Sequence, residues 1–173
     1  YLRFARPPRQ PTGRQDLAEL AGQLLDFLAP ELAAARVEVR RELSAGLPAV
    51  RGDEGPLRAV LLNLVRNSRE AMSGGGTLTV AARRLEGFVE LEVADTGGGI
   101  KPEDQQRIFD PFYSTKERGT GLGLAFVLQV VQEHGGSIRC DSAPGKGTRF
   151  TLRLPAAAEE KAGEAAPAEA ASA

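Results

Sequence analysis

Several kinds of residue and segment are scarce or missing in this chain. One cysteine, Cys140, stands among 173 residues, which excludes an internal disulfide and any metal–thiolate cluster. The formal net charge is −1, so no overall field draws the chain to nucleic acid. No apolar run is long enough to cross a bilayer, no signal peptide is present, and no internal repeat appears. A reducing, cytoplasmic setting is therefore expected. No Gly-Lys-Ser/Thr closes a glycine-rich turn, so a Walker loop is excluded. The run Gly97-Gly98-Gly99 also lacks the spacing and strand–helix context of a Rossmann unit.

Two glycine-rich turns are present: Asp95-Thr-Gly-Gly-Gly99 and, about twenty residues on, Gly119-Thr-Gly-Leu-Gly-Leu124 at the head of an apolar helical run. Asp95 follows the apolar strand 88–94, so a carboxylate is held at a strand end. There it can accept a hydrogen bond from an amine such as the exocyclic nitrogen of adenine. Gly97 and Gly99 allow a tight turn close to a flat ring. Gly119, Gly121 and Gly123 open a helix, whose unpaired amides bind anions.

Upstream, Leu57, Val60, Leu61, Leu64, Val65, Ser68 and Met72 recur at three and four residues and form one largely apolar helical stripe. Asn63 and Asn67 lie about 40° apart around that helix, at one edge of the stripe. Amide oxygens are hard, neutral donors suited to Mg²⁺, which takes few protein ligands and fills its octahedron with water and phosphate oxygens. Asn67 is the candidate metal ligand.

The remaining pattern organises the domain. Asp16 is placed to cap a helix through Leu17, Leu20, Leu24, Leu25 and Leu28, bent or restarted at Pro30. Residues 37–43 alternate as a strand, residues 48–51 are extended, and Asp53 is placed to cap the asparagine helix. Residues 77–85 and 88–94 form a hairpin across Glu86-Gly87. A short helix near 102–107 precedes a polar lid, then a helix spans 121–133. Residues 137–141 and 148–154 close the sheet, with Cys140 expected to be buried. The fold class is a two-layer α/β (α+β) sandwich: a mixed, mostly antiparallel sheet with helices on one face.

Four blocks carry a family resemblance. They are Leu62-Asn-Leu-Val-Arg-Asn-Ser-Arg-Glu-Ala-Met72, Asp95-Thr-Gly-Gly-Gly-Ile100, Ile108-Phe-Asp-Pro-Phe-Tyr-Ser-Thr-Lys116 and Gly119 to Leu124. In order and spacing they resemble the N, G1, F and G2 boxes of the catalytic ATP-binding domain of bacterial sensor histidine kinases. These belong to the superfamily shared with type II topoisomerases, the large heat-shock chaperone and mismatch-repair ATPases. The resemblance runs from about residue 15 to 154 and implies a Bergerat-type ATP fold with ATP and Mg²⁺ as cofactors. It implies Asn67 as metal ligand, Asn63 beside it, and Asp95 as the adenine-reading carboxylate. Gly97 and Gly99 form the turn under the base, Ile100 an apolar wall, and Thr148 a support for Asp95 and a bound water. Phe109 hinges and Phe112 anchors the lid. Phe112, Thr115, Gly119, Thr120 and Leu124 join the nucleotide set, with the amides of Gly121, Leu122 and Gly123 on the phosphates.

Two positions separate relatives within this superfamily. Hydrolysing members place a glutamate four residues before the metal asparagine; Asn63 stands there and cannot abstract a proton, which is kinase logic. Many sensor kinases carry a lysine three residues after that asparagine; here it is Glu70, so Arg66 or Lys116 becomes the candidate phosphate cation. The resemblance implies phosphoryl transfer from Mg·ATP to a histidine on a separate dimerisation domain, which in turn serves a response regulator. An anti-sigma-type serine kinase and a degenerate nucleotide-binding module are the alternatives. The single histidine, His134, ends a helix and reads as structural. Residues 1–14 are expected to be a linker from the absent acceptor domain, 15–155 the catalytic domain, and 156–173 a disordered Ala/Glu tail. Such a fragment is expected to be a monomer and the full kinase a homodimer.

Overall fold

In a computed structural model, residues 11–114, 121 and 123–158 are described. The elements are β1 (Arg14–Gln15), α1 (Leu17–Ala34), β2 (Val37–Leu43), β3 (Val50–Arg51), α2 (Glu54–Ala71), β4 (Gly76–Leu85), β5 (Phe88–Asp95), α3 (Pro102–Gln105), α4 (Gly123–Glu133), β6 (Ser137–Ser142) and β7 (Thr148–Pro155). The main sheet runs β2-β4-β5-β7-β6. Only β2 and β4 are parallel; the other pairs are antiparallel. A parallel pair needs a crossover, and here the chain between them contains α2, which is thereby laid across the sheet. With α1 and α4 beside it, α2 forms the second layer of the expected α/β sandwich.

Local sequence accounts for the helices. The Asp16 carboxylate accepts from the Glu19 amide at 3.1 Å, and α1 then buries Leu17, Leu20, Leu24, Leu25, Leu28 and Leu32. The helix continues through Pro30 to Ala34 without restarting. In α2, Pro56 sits in the first turn, where no amide is needed, and Glu54 pairs with Arg58 one turn on at 2.7 Å. The expected stripe, Leu57 through Met72, is buried throughout. It meets the inward residues Leu78 and Val80 of β4, Leu91 and Val93 of β5, and Phe150 and Leu152 of β7.

Two local expectations are corrected. Asp53 occupies the N-cap position of α2 but its side chain makes no cap bond; its amide instead points at His134 Nε2, at 3.4 Å. His134 is buried and its Nδ1 lies 2.7 Å from the Val130 carbonyl, so the tautomer with hydrogen on Nδ1 joins the end of α4 to the start of α2. Cys140 is half-buried because β6 is an edge strand; burial still pushes its thiol up to about 11, leaving it protonated at neutral pH. The extended segment 48–51 supplies β3, which pairs with β1 in a small second sheet. On its other side, Ala156 bridges Val50, and the Ala157 amide reaches Ala49 at 2.7 Å. Arg14 and Ala156 are thus both held by strand pairing.

The sheet face away from the helices is polar. On it Glu90 lies opposite Arg83 of β4 and Arg153 of β7, and pairs with both. Burial pushes the Glu90 carboxyl up, but the hydrogen bonds and charges of the two guanidiniums together outweigh this and hold it below 4.5. The residue is 2 % exposed although it lies on the outer face, because the arginines cover it. Because its folded-state pKa is depressed, the stabilisation is complete above 4.5 and is lost as pH falls towards the folded-state value. Glu90→Gln is expected to cost about 1 kcal/mol at pH 7, the arginines being largely solvated. In urea unfolding, the gap between variant and parent should close as the pH is lowered below 4.5.

Candidate functional site

A cleft of about 530 Å³ opens between α2, the end of β5, the loop after it and the start of α4. Helix α2 contributes Asn63, Arg66, Asn67, Glu70 and Ala71. The strand ends contribute Asp95 and Thr148, the loops Gly98, Gly99, Ile100, Ile108, Tyr113 and Ser114, and the far side Gly121, Gly123 and Leu124. Residues from three distant stretches of sequence therefore converge as the glycine turns and the asparagine helix suggested.

Asp95 closes one end. It pairs across the sheet with Thr148 and is 8 % exposed. Its Oδ1 accepts from the Gly97 amide at 2.9 Å and the Thr148 amide at 3.3 Å, so two backbone donors orient the carboxylate. Burial pushes its pKa above the ordinary 3.8, more than these donors bring it down. The nearby Ser68 hydroxyl also favours the charged form electrostatically, yet makes no hydrogen bond of ordinary geometry and is fully buried. A buried carboxylate beside a buried hydroxyl offers an acceptor and a donor to any polar group that enters the cleft.

The loop after Asp95 is held from behind. Gly99 has φ +77°, and a Cβ there would lie 2.0 Å from the Ala143 carbonyl, so only glycine fits. The Ile100 amide donates to Ser142 Oγ at 2.8 Å, and Ser142 Oγ donates to the Gly147 carbonyl at 2.9 Å. That uses the one proton of Ser142, so the Thr148 hydroxyl, 2.8 Å away, donates to Ser142. Thr148 thus supports Asp95 through its backbone amide, while its hydroxyl braces the loop. Gly97 acts as an Asp95 donor and does not line the cleft.

At the other end, the Asn63 side-chain amide donates to the Ala59 carbonyl at 2.8 Å. This fixes the amide so that Oδ1 faces Gly123, 3.0 Å from where a Cβ would stand. The oxygen donors of Asn63, Asn67 and Glu70 share this wall, and among the described residues no group of three or more His, Cys, Asp or Glu side chains converges. Such a sparse, hard set fits Mg²⁺, whose remaining positions go to water and phosphate.

Phe112 departs from expectation. It is 78 % exposed with φ +66° and lies outside the cleft, where its amide donates to the Gly121 carbonyl at 3.0 Å. It anchors through its backbone. Gly121, at φ +72°, packs so closely that a Cβ would lie 2.3 Å from the Phe112 carbonyl carbon. Phe109 does pack inward, edge-on to Phe150 at 6.4 Å. Tyr113, which the sequence did not single out, lines the cleft, bonds Asp104 through its hydroxyl and carries the Arg107 guanidinium 4.5 Å over its ring. Arg66 reaches the cleft but is paired to Glu31. Thr115, Lys116, Gly119, Thr120 and Leu122 lie outside the described residues. Ser68 and Ser142 were not foreseen as site residues; a serine inside an apolar helical stripe was the available signal for the first, and Ser142 had none.

Comparison with known proteins agrees with this geometry. Residues 52–158 match the family described as histidine kinase-, DNA gyrase B- and HSP90-like ATPase. The sensor histidine kinase ZraS of Klebsiella oxytoca is 38 % identical over 161 residues, covering 92 % of this chain and 35 % of the relative. The chain thus spans about a third of the curated relative. Among solved structures, full-length ShkA in complex with AMPPNP superposes with TM-score 0.78 at 31 % identity, over 92 % of this chain and 34 % of that one. The mycobacterial sensor histidine kinase MprB gives 0.76 at 29 % identity, over 86 % and 99 % respectively. The cleft, the sheet that carries it and the sequence match together place the chain in the histidine kinase-, DNA gyrase B- and HSP90-like ATPase family.

Proposed function

We propose that this chain is the ATP-binding catalytic domain of a sensor histidine kinase, passing the γ-phosphate of Mg·ATP to a histidine on a separate dimerisation domain. The observation that carries it is Asp95, a buried carboxylate oriented by two backbone donors at one end of a cleft whose other end is walled by asparagines and glycine amides. The likeness to ShkA, whose structure holds AMPPNP, and to ZraS supports it.

The chain's own residues have defined tasks in this reading. Asp95 accepts from the adenine amine, and Ile100 and Ile108 cover the ring. Gly121, Gly123 and the amides at the start of α4 receive the phosphates. Asn67, with Asn63 beside it, would hold Mg²⁺, which would supply neutralisation of the triphosphate charge. A histidine nitrogen of the docked domain attacks the γ-phosphorus. The bond to the bridging oxygen breaks, ADP leaves with that electron pair, and the imidazole gives its proton to solvent. Asn63 offers no base to activate water, so hydrolysis stays slow until the histidine arrives. Residues 1–14 lead in from the acceptor domain, the transferred phosphate passes on to a response regulator, and the work is done in the cytoplasm, with the full kinase a homodimer and this fragment a monomer. Among the described residues no helix is long and apolar enough to cross a membrane.

Incubation with γ-labelled ATP and the dimerisation domain of the parent kinase should give an acid-labile label on that domain, while the chain alone turns over little ATP. Acid-stable label, or brisk hydrolysis without an acceptor, would count against the assignment. Two binding predictions accompany it. Because the Asp95 pKa is raised, ATP affinity should rise with pH and begin to fall, on acidification, above 3.8. Asp95→Asn should lose about ten-fold or more in affinity together with that pH dependence. Chelating Mg²⁺ should weaken ATP binding by the parent and much less by Asn67→Ala; calorimetric titration reads both.

A further inference from the structure

Among the described residues that line the cleft, Arg66 is the single cation. It is not directed into the cleft alone. Its Nη2 lies 3.2 Å from Oε1 of Glu31 on α1 and its Nε 3.4 Å from Oε2. The same carboxylate takes Nη1 of Arg69 at 2.7 Å, and Arg69 also stands 3.9 Å from Glu70. Two guanidiniums on α2 thus share one carboxylate on α1, and the shares are unequal. Arg69 makes the short contact and is 27 % exposed; Arg66 makes the long ones and is 44 % exposed.

This inequality makes Arg66 the detachable partner. Releasing it leaves Glu31 still paired through its shorter bond, so no carboxylate is stranded. A terminal phosphate carries more charge than a shared carboxylate and binds a guanidinium through two parallel hydrogen bonds. Only a nucleotide that reaches the asparagine end of the cleft would compete for Arg66. A diphosphate, one phosphate shorter, leaves it on Glu31.

We propose that Glu31 sets the preference of this cleft for triphosphate over diphosphate by holding Arg66 until the third phosphate takes it, with Arg69 remaining behind as the partner of Glu31. The proposal rests on the nucleotide reading given above and makes Glu31 a positioning residue. It touches no ligand and acts through Arg66.

The test is calorimetric titration of Mg·ATP and Mg·ADP into the 173-residue chain and three variants, with thermal unfolding as a control. Glu31→Gln removes the competitor and should tighten ATP by about three-fold, the scale of one exposed ion pair, with ADP unchanged. Arg69→Gln leaves Arg66 as the closer partner of Glu31 and should weaken ATP by roughly the same factor, again sparing ADP. Arg66→Gln should cut the ATP-to-ADP preference about ten-fold. Opposite shifts in that preference for the first two variants would support the handover. Parallel changes in ATP and ADP affinity, or an unchanged preference, would reduce Glu31 to a structural tie between helices and overturn it. Binding of neither nucleotide by the parent chain would remove the nucleotide reading itself, and this proposal with it.

Discussion

The structure turns on one buried carboxylate. A carboxylate with little access to water must be given donors or it takes up a proton, and Asp95 is given two backbone amides, from Gly97 and Thr148. Supplying them requires β5 to pair with β7 in the register that sets Asp95 against Thr148. It also requires the chain to turn at once after the strand. That turn is possible because glycine stands where any side chain would strike the β6–β7 turn, and Ser142 ties the two turns together. The sheet order, the glycines and the serine–threonine pair therefore serve the same oxygen atoms.

The two ends of the cleft are built on different terms. The Asp95 end is fixed by strand pairing and by hydrogen bonds from several directions, and it presents a charge whose state depends on pH. The opposite end is lined along one helix by the amides of Asn63 and Asn67 and the carboxylate of Glu70, with the Asn63 orientation set by its own backbone one turn back. Its cation, Arg66, is shared with a neighbouring helix. In the proposed reading, recognition of a ring and handling of phosphates are separated along one groove, the first resting on geometry fixed on folding and the second on an ion and on a side chain proposed to exchange partners.

What was legible in the sequence follows the same division. Periodicity exposed the α2 stripe, and helical spacing put Asn63 and Asn67 on one wall, because both depend only on local geometry. The position of Asp95 after an apolar strand was likewise readable. Contacts set by distant pairing were not: Ser142 reaches the loop only because β6 lies beside β7, and Glu31 meets Arg66 and Arg69 only because α1 packs on α2. Phe112 was misplaced because a motif position does not reveal that its backbone adopts a left-handed turn and sends the ring outward. The β1–β3 sheet was missed because two-residue strands carry no period.

The central claim is that Asp95 reads an amine on the base. Adenine presents an exocyclic amine where guanine presents a carbonyl oxygen, and a carboxylate accepts from the first and repels the second. The decisive measurement is parallel titration of Mg·ATP and Mg·GTP into the folded chain. Clear binding of ATP with GTP weaker by at least about ten-fold is expected from the loss of a hydrogen bond to a charged group. Equal affinity for the two, or failure of a folded chain to bind either, would contradict the assignment of Asp95 as the base-reading residue.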